Sequence, residues 1–160
     1  MDRLQEIRFV LNGKEASYTG SAADRLLDVL REQFRCTGVK CGCREGECGA
    51  CAVLIDGLLR NSCCVAMGAV EGTSIVTIEG YRETARFAVL DRAFAQLSAV
   101  QCGFCTPGMI LAAEALLSAH PHPTEEEIRE GLSGNLCRCT GYNAIVNAVK
   151  SAAEEGEGLW

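Results

Sequence analysis

The chain has 160 residues, a net charge of −6 and 48% hydrophobic residues. This length allows one domain or two small ones, and the apolar content suffices for a buried core, so disorder is not expected. No lysine- and arginine-rich cluster occurs, which argues against nucleic-acid binding because such binding depends on neutralising phosphates. Residues 1–13 do not look like a signal peptide, and no apolar stretch approaches the ~18–20 residues that span a bilayer. We therefore expect a cytoplasmic protein.

The first half of the chain alternates apolar and polar residues with the two-residue period of half-buried strands. Asn12-Gly13 and Asp56-Gly57 each predict a hairpin with a two-residue turn. A helix is predicted over residues 25–34, with Ser21-Ala-Ala-Asp24 as a capping box before it. A glycine-rich loop follows over residues 35–51. The predicted strands are residues 6–11, 14–18, 52–55, 58–59 and 75–78.

After about Gly80 the apolar period changes to 3.6, which indicates helices. Thr106-Pro107 is typical of an N-cap followed by a first-turn proline, and Thr124 with Glu127 forms a capping box. Residues 154–160 are expected to fray. Four helices are predicted. The first carries the apolar stripe Phe87, Leu90, Phe94 and Leu97. The other three run from Thr106 to about Ser118, from Thr124 to about Leu132, and over residues 144–153. We predict two domains, residues 1–80 and 81–160.

The eleven cysteines favour metal binding over a disulfide framework, because the count is odd and the setting is expected to be reducing. Four of them are spaced C-x4-C-x2-C-x11-C, close to the plant-type pattern that holds a [2Fe–2S] cluster. Structural zinc is the alternative, but zinc sites pair two short knuckles, whereas three of these thiols share one loop. We call this set the first quartet: Cys43, Cys48, Cys51 and Cys63.

A second quartet lies in the helical half, as a C-x2-C pair before one predicted helix and a C-x-C pair before another. Both pairs can meet at one end of a four-helix bundle. A C-x-C pair is unusual for a zinc knuckle and suits a compact two-iron cluster. Its members are Cys102, Cys105, Cys137 and Cys139. The remaining Cys36, Cys41 and Cys64 are expected to be spare buried or half-buried thiols, since a ligand at Cys41 would match the spacing less well.

Three motifs, GVKCGCREGECGACAVLIDG, QCGFCTPGMI and GNLCRCTGY, together resemble the small iron–sulfur subunit of the molybdenum hydroxylases, the xanthine dehydrogenase/xanthine oxidase family. The resemblance runs from Glu6 to near Ala153, with Cys41 as one departure. It implies an α+β fold. An N-terminal β-grasp, plant-type [2Fe–2S] ferredoxin domain would precede a C-terminal four-helix [2Fe–2S] bundle domain.

The same resemblance implies roles for individual residues and partners. The first quartet would hold a [2Fe–2S] cluster nearer FAD, and the second quartet one nearer molybdenum. Gln101 would hydrogen-bond the molybdopterin cofactor, and Cys139 would lie close to it. From the residues alone, Gln101 is as readily a polar helix-end residue capping its own backbone. Phe104 and Tyr142 could shield the cluster from water, but the sequence favours core positions for both. The implied partners are a large molybdopterin-binding subunit and a medium FAD-binding subunit, in a dimer of heterotrimers.

No substrate site is evident in the sequence. His120 and His122 lie in a proline-flanked stretch and are expected to be solvated. The chain is therefore expected to conduct electrons from molybdenum to flavin as the iron–sulfur subunit of an oxidoreductase, without being catalytic alone. A xanthine, purine or N-heterocycle dehydrogenase is the leading interpretation. Alternatives are an aldehyde, CO or aromatic-thioester oxidoreductase of the same family, a free-standing two-cluster ferredoxin, and a zinc-stabilised interaction module.

Overall fold

The computed structural model describes residues 4–160. Five strands form one sheet in the order β2-β1-β5-β3-β4. The strands are β1 Gln5–Leu11, β2 Lys14–Gly20, β3 Ala52–Ile55, β4 Leu58–Asn61 and β5 Ser74–Val76. The helices are α1 Leu26–Glu32, α2 Ile78–Tyr81, α3 Ala85–Gln96, α4 Thr106–Ala119, α5 Glu125–Gly131 and α6 Asn143–Glu155, with short 3-10 helices at Ser62–Cys64 and Met67–Val70.

The sheet has the mixed topology of a β-grasp fold. The two predicted hairpins, β1–β2 and β3–β4, are antiparallel. Strand β5 joins them, parallel to β1 and antiparallel to β3. Helix α1 buries Leu26, Leu27 and Leu30 against one face of this sheet. The predicted α+β class is confirmed.

The other face of the sheet meets the helices. Successive side chains of a strand point to opposite faces, and in β3 Val53 belongs to the α1 core while Leu54 belongs to the helical core. Both are buried. Helix α4 contacts β3 and β4, so the helical part packs directly on the sheet. Among residues 4–160, no helix is both long and apolar enough to span a membrane.

The predicted capping box before α1 is wrong. The helix begins at Leu26 with Arg25 as N-cap, and no side chain caps it. The carboxylate of Asp24 instead closes the preceding turn, accepting hydrogen bonds from the Ser21 N–H at 3.0 Å and from the Tyr18 hydroxyl. The Asp24 carboxylate therefore accepts hydrogen bonds in the turn before the helix and does not cap the helix.

Among the other boundaries that differ from prediction, two concern the residue at which a helix begins. The last strand ends at Val76, and Ile78 opens α2 instead, because Asn12 Oδ1 accepts the N–H of Thr77 at 2.8 Å and turns the chain. Helix α4 contains Thr106 as its first residue, with Cys105 at the N-cap position. The capping box of α5 is confirmed by reciprocal bonds between Thr124 and Glu127.

The last five residues do not fray. The indole N–H of Trp160 donates to Glu114 Oε2 at 2.7 Å, and Arg86 Nε donates to the carbonyl of Leu159 at 2.7 Å. The Arg86 guanidinium also lies 5.9 Å from the centre of the Trp160 ring. The buried carboxylate of Glu114 on α4 supplies the acceptor that fixes this segment.

Candidate metal centres

The first quartet gathers around the end of the β3–β4 hairpin. Cys43 and Cys48 lie in the loop before β3, Cys51 directly precedes that strand, and Cys63 lies in the 3-10 helix after β4. Because Ala52 pairs with Asn61, the hairpin brings Cys63 back to Cys51, and the Cys63 N–H lies 3.5 Å from Cys51 Sγ. The Cys63 and Cys51 thiols also interact, and burial together with Cys51 raises the pKa of Cys63.

Cys43 and Cys48 make the other pair of the first quartet. The Cys43 N–H lies 3.4 Å from Cys48 Sγ, and the Glu45 N–H lies 3.3 Å from Cys43 Sγ. Hydrogen bonds from the backbone of Glu45 and Cys48 lower the pKa of Cys43 to about 7, so its thiolate forms readily. A Cβ at Gly42 would lie 2.8 Å from Cys48 Sγ, so a side chain there would crowd the sulfur.

The second quartet also forms two pairs. Cys102 and Cys105 precede α4, while Cys137 and Cys139 lie between α5 and α6. The sulfurs of Cys102 and Cys139 are 3.7 Å apart, and the thiols of Cys105 and Cys137 interact. Two thiolates on one tetrahedral metal, with metal–sulfur bonds of about 2.3 Å, lie about 3.8 Å apart. The observed sulfur–sulfur distance fits such a metal.

The thiols of Cys105 and Cys137 differ in acidity. Burial, followed by the neighbouring Cys137, raises the pKa of Cys105 to about 12. Burial acts in the same direction on Cys137, but hydrogen bonds outweigh it and lower the pKa to about 7. The Thr140 hydroxyl makes one of them, donating to Cys137 Sγ at 3.2 Å. The Cys137 N–H instead donates to the Tyr142 hydroxyl at 2.9 Å.

The pairing suits a two-iron cluster. A [2Fe–2S] cluster takes two terminal thiolates on each iron, and each quartet supplies two pairs. A single zinc ion requires its ligands to converge on one point. Among residues 4–160, no three histidine, cysteine or acidic side chains converge closely enough to hold one ion.

The second quartet opens to the surface, whereas two members of the first quartet are buried. Cys102 and Cys139 are exposed, while Cys51 and Cys63 are buried. An open cavity of about 710 Å³ lies over the second quartet. Phe104, 47% exposed, lines this cavity, so its predicted core position is wrong. The half-buried Tyr142 and the exposed Arg138 and Leu136 line it too, and Leu136 is 56% exposed.

Gln101 lies beside this cavity, one residue before Cys102. Its side chain is exposed and makes no hydrogen bond to any of residues 4–160, so the alternative that it caps its own backbone is wrong. Its amide can donate to and accept from another molecule. His120 and His122 are exposed, as expected.

The three other cysteines differ from one another. Cys36 is buried in the α1 core and Cys41 is half-buried, as expected, with Arg44 Nη1 3.6 Å from its sulfur. Cys64 is exposed, against expectation, and its sulfur lies 3.7 Å from that of Cys63.

The loop before β3, which carries Cys43 and Cys48, contacts the loop between α5 and α6, which carries Cys137 and Cys139. We call these the two cysteine loops. The Leu136 N–H donates to the carbonyl of Cys48 at 2.9 Å, and Asn135 Nδ2 donates to the carbonyl of Gly49 at 3.1 Å. Sequence reasoning missed Asn135 and Thr140 because cysteine spacing says nothing about contacts of neighbouring polar residues. The only signal available was that both lie within two residues of a C-x-C cysteine.

Comparison with known proteins identifies two [2Fe–2S]-binding domains in the chain. A model described as a 2Fe-2S iron-sulfur cluster binding domain matches residues 9–69, and one described as a [2Fe-2S] binding domain matches residues 77–150. The chain is therefore a protein with two [2Fe–2S]-binding domains, which carry two [2Fe–2S] clusters.

Its relatives are subunits or segments of larger oxidoreductases. The nicotinate dehydrogenase small FeS subunit of Eubacterium barkeri is 50% identical over 148 residues, covering 92% of this chain and 94% of the relative. A chain of quinoline 2-oxidoreductase from Pseudomonas putida 86 superimposes with a TM-score of 0.90 at 40% identity, covering 98% of both chains. In the aldehyde oxidoreductase of Desulfovibrio gigas, the similar region (TM-score 0.90, 39% identity) covers 98% of this chain but 18% of that one. The chain belongs to the family of small iron–sulfur subunits of the molybdenum hydroxylases related to xanthine dehydrogenase.

Proposed function

We propose that the chain is the electron relay of a molybdenum hydroxylase, carrying electrons from a molybdopterin site in a large subunit to FAD in a medium subunit. Within it, the first quartet and the second quartet would be the ligands of the two clusters. Residues 1–80 and 81–160 would be the two cluster-binding domains. When bound, the clusters supply two one-electron redox centres.

The observation that carries this proposal is the contact between the two cysteine loops. Cys48 belongs to one quartet and Cys137 to the other. The carbonyl of Cys48 accepts the N–H of Leu136, which directly precedes Cys137. A carrier with two unrelated clusters has no need of such a contact. In a relay the contact keeps the two centres close, and electron tunnelling falls steeply with distance.

The exposed side chains around the second quartet support docking of a large subunit there. Phe104 and Leu136 are large apolar residues left 47% and 56% exposed, beside the exposed Cys102 and Cys139. Apolar side chains clustered on an exposed rim are typical of surfaces that a partner covers. Gln101 lies at the same rim with an unused amide, which suits recognition of the polar edge of a pterin.

We propose an N-heterocycle or purine as the substrate class of the complex, because the relatives named above include a nicotinate dehydrogenase and a quinoline 2-oxidoreductase. An aldehyde is the second candidate, since an aldehyde oxidoreductase has a similar segment. The proposed assembly is a dimer of heterotrimers in the cytoplasm, where eleven free thiols are chemically suited to a reducing medium.

Purification of the chain from its native cells tests the assembly. The proposal expects co-purification with one large molybdenum-containing and one flavin-containing subunit. Adding nicotinate, xanthine or an aldehyde in turn should reduce the complex with one substrate class only. Recovery of the chain alone, with full cluster content and no bound partner, would contradict the relay and favour a free-standing ferredoxin.

Substitution of one cysteine in each quartet tests ligation. Cys48→Ser should remove one of the two cluster signals in EPR and leave the other, and Cys137→Ser should do the reverse. Cys64→Ser is the control, because its thiol is exposed and lies close to a proposed ligand without being one. Loss of both signals or of neither in the first two variants would count against the assignment.

A further inference from the structure

Asn135 is one of four polar or charged residues that are buried among residues 4–160, and it is 4% exposed. Burying an amide is costly unless its polar atoms find partners. Its Nδ2 meets that need by donating to the Gly49 carbonyl, 86 residues away, at 3.1 Å. This bond joins the helical part of the chain to the loop of the first quartet.

The contact falls beside proposed ligands on both sides. Gly49 lies between Cys48 and Cys51 of the first quartet, and Asn135 lies two residues before Cys137 of the second. The adjacent residue adds a parallel bond, from the Leu136 N–H to the Cys48 carbonyl at 2.9 Å. Two consecutive residues of one loop are thus bound to two consecutive residues of the other.

The packing at this contact leaves no room for side chains. A Cβ at Gly49, where φ is +68°, would lie 2.4 Å from the Gly134 carbonyl oxygen. A Cβ at Gly108 on α4 would lie 2.5 Å from the Gly49 carbonyl oxygen and 3.1 Å from Asn135 Nδ2. The Asn135 amide therefore sits in a close-fitting gap beside Gly49 and Gly108, where its position is fixed.

We propose that Asn135 is a positioning residue that holds the two cysteine loops together and thereby sets the electronic coupling between the two clusters. The inference rests on the proposed function, since it requires both quartets to bind clusters. The Leu136 bond joins two backbone groups, so no substitution at this site removes its donor or its acceptor. The Asn135 side chain keeps that bond short by preventing the loops from moving apart.

Magnetic interaction between the two reduced clusters tests this role. In the fully reduced complex at low temperature, the two paramagnetic centres split each other's EPR lines by an amount that falls with distance. Asn135→Ala should reduce or abolish this splitting while both signals integrate to one spin each. Electron transfer between the clusters, followed by rapid-freeze EPR after substrate addition, should slow in the same variant.

Asn61→Ala is the matched control. Asn61 Nδ2 also donates to a glycine carbonyl of the first cysteine loop, that of Gly46 at 2.8 Å, but it does so from β4 within the same half of the chain. Its removal should change the signal of the first cluster and leave the splitting in place. Unchanged splitting in Asn135→Ala, or an equal loss in Asn61→Ala, would overturn the proposal.

A second variant is used if Asn135→Ala prevents assembly of the clusters. If Asn135→Ala does not load both clusters, Asn135→Ser replaces it, because the shorter side chain still fills part of the gap but does not reach the Gly49 carbonyl. Loss of a cluster in this variant as well would overturn the proposal and make the residue a requirement of assembly. Absence of both cluster signals from the unmodified complex would instead refute the proposed function.

Discussion

The hydroxyl of Thr140 is expected to tune the reduction potential of the second cluster. It donates to Cys137 Sγ at 3.2 Å, and Thr140 is half-buried, so water does not simply replace it. Reduction adds negative charge to a cluster and its thiolates, and a donor to the sulfur stabilises the reduced state. Thr140→Val removes that donor and should lower the potential.

The size of the shift follows from the worth of one hydrogen bond. With a net contribution of about 0.5–1.5 kcal/mol, and about 59 mV per tenfold change for a one-electron couple, the potential should fall by about 20–65 mV. Thr140→Ser keeps the hydroxyl and should stay close to the unmodified value. The potential of the first cluster should not change, because within residues 4–160 the Thr140 hydroxyl bonds to Cys137 and Tyr142 and to no cysteine of the first quartet.

Potentiometric titration of the complex followed by EPR measures both potentials in one experiment. The Cys48→Ser and Cys137→Ser variants identify which signal belongs to which quartet. The reasoning is refuted if Thr140→Val shifts both potentials equally, or if Thr140→Ser shifts the second as much as Thr140→Val does. A rise in the second potential would also refute it, since the sign follows directly from the charge of the reduced state.

Three further outcomes are expected. Glu114→Ala removes the acceptor shared by the Tyr81 hydroxyl and the Trp160 indole. In chemical denaturation it should lower the free energy of unfolding by about 2–4 kcal/mol. A loss under about 1 kcal/mol would show that the shared acceptor contributes little to stability. Gly49→Ala should lower the iron and acid-labile sulfide content, because its Cβ would collide with the loop of Asn135. Gly57→Ala is the control, since Gly57 also has a positive φ but no atom near its Cβ position, and it should lower neither. Equal losses in the two variants would show that the close packing at Gly49 is not the cause. Burial, then Glu114, raises the pKa of Tyr81 in the folded chain, so stability should be full below about pH 10, the usual tyrosine pKa, and fall as the pH rises above it. Tyr81→Phe should weaken that fall, and an unchanged pH profile would contradict it.

Local sequence patterns predicted the elements that local chemistry determines. The Asn12-Gly13 and Asp56-Gly57 turns and the α5 capping box appear where the residues indicated them, because turn and cap geometry depends on a few neighbouring residues. Cysteine spacing also grouped cysteines that lie close together in pairs in the structure, and their role as cluster ligands stays a prediction.

Features that depend on distant partners were missed. The segment ending at Trp160 looked free because its acceptor, Glu114, lies 46 residues away on another helix. Asp24 looked like a helix cap, yet the Tyr18 hydroxyl on β2 competes for its carboxylate. The contact of Asn135 with Gly49 spans 86 residues. Tertiary hydrogen bonds decide these positions, and no local pattern encodes them.

Iron and acid-labile sulfide analysis of the purified complex, combined with EPR of the reduced state, determines whether the chain carries two [2Fe–2S] clusters. We expect two irons and two sulfides for each of two clusters per chain, and two distinct one-electron signals. Zinc without acid-labile sulfide, or a single cluster per chain, would contradict this expectation.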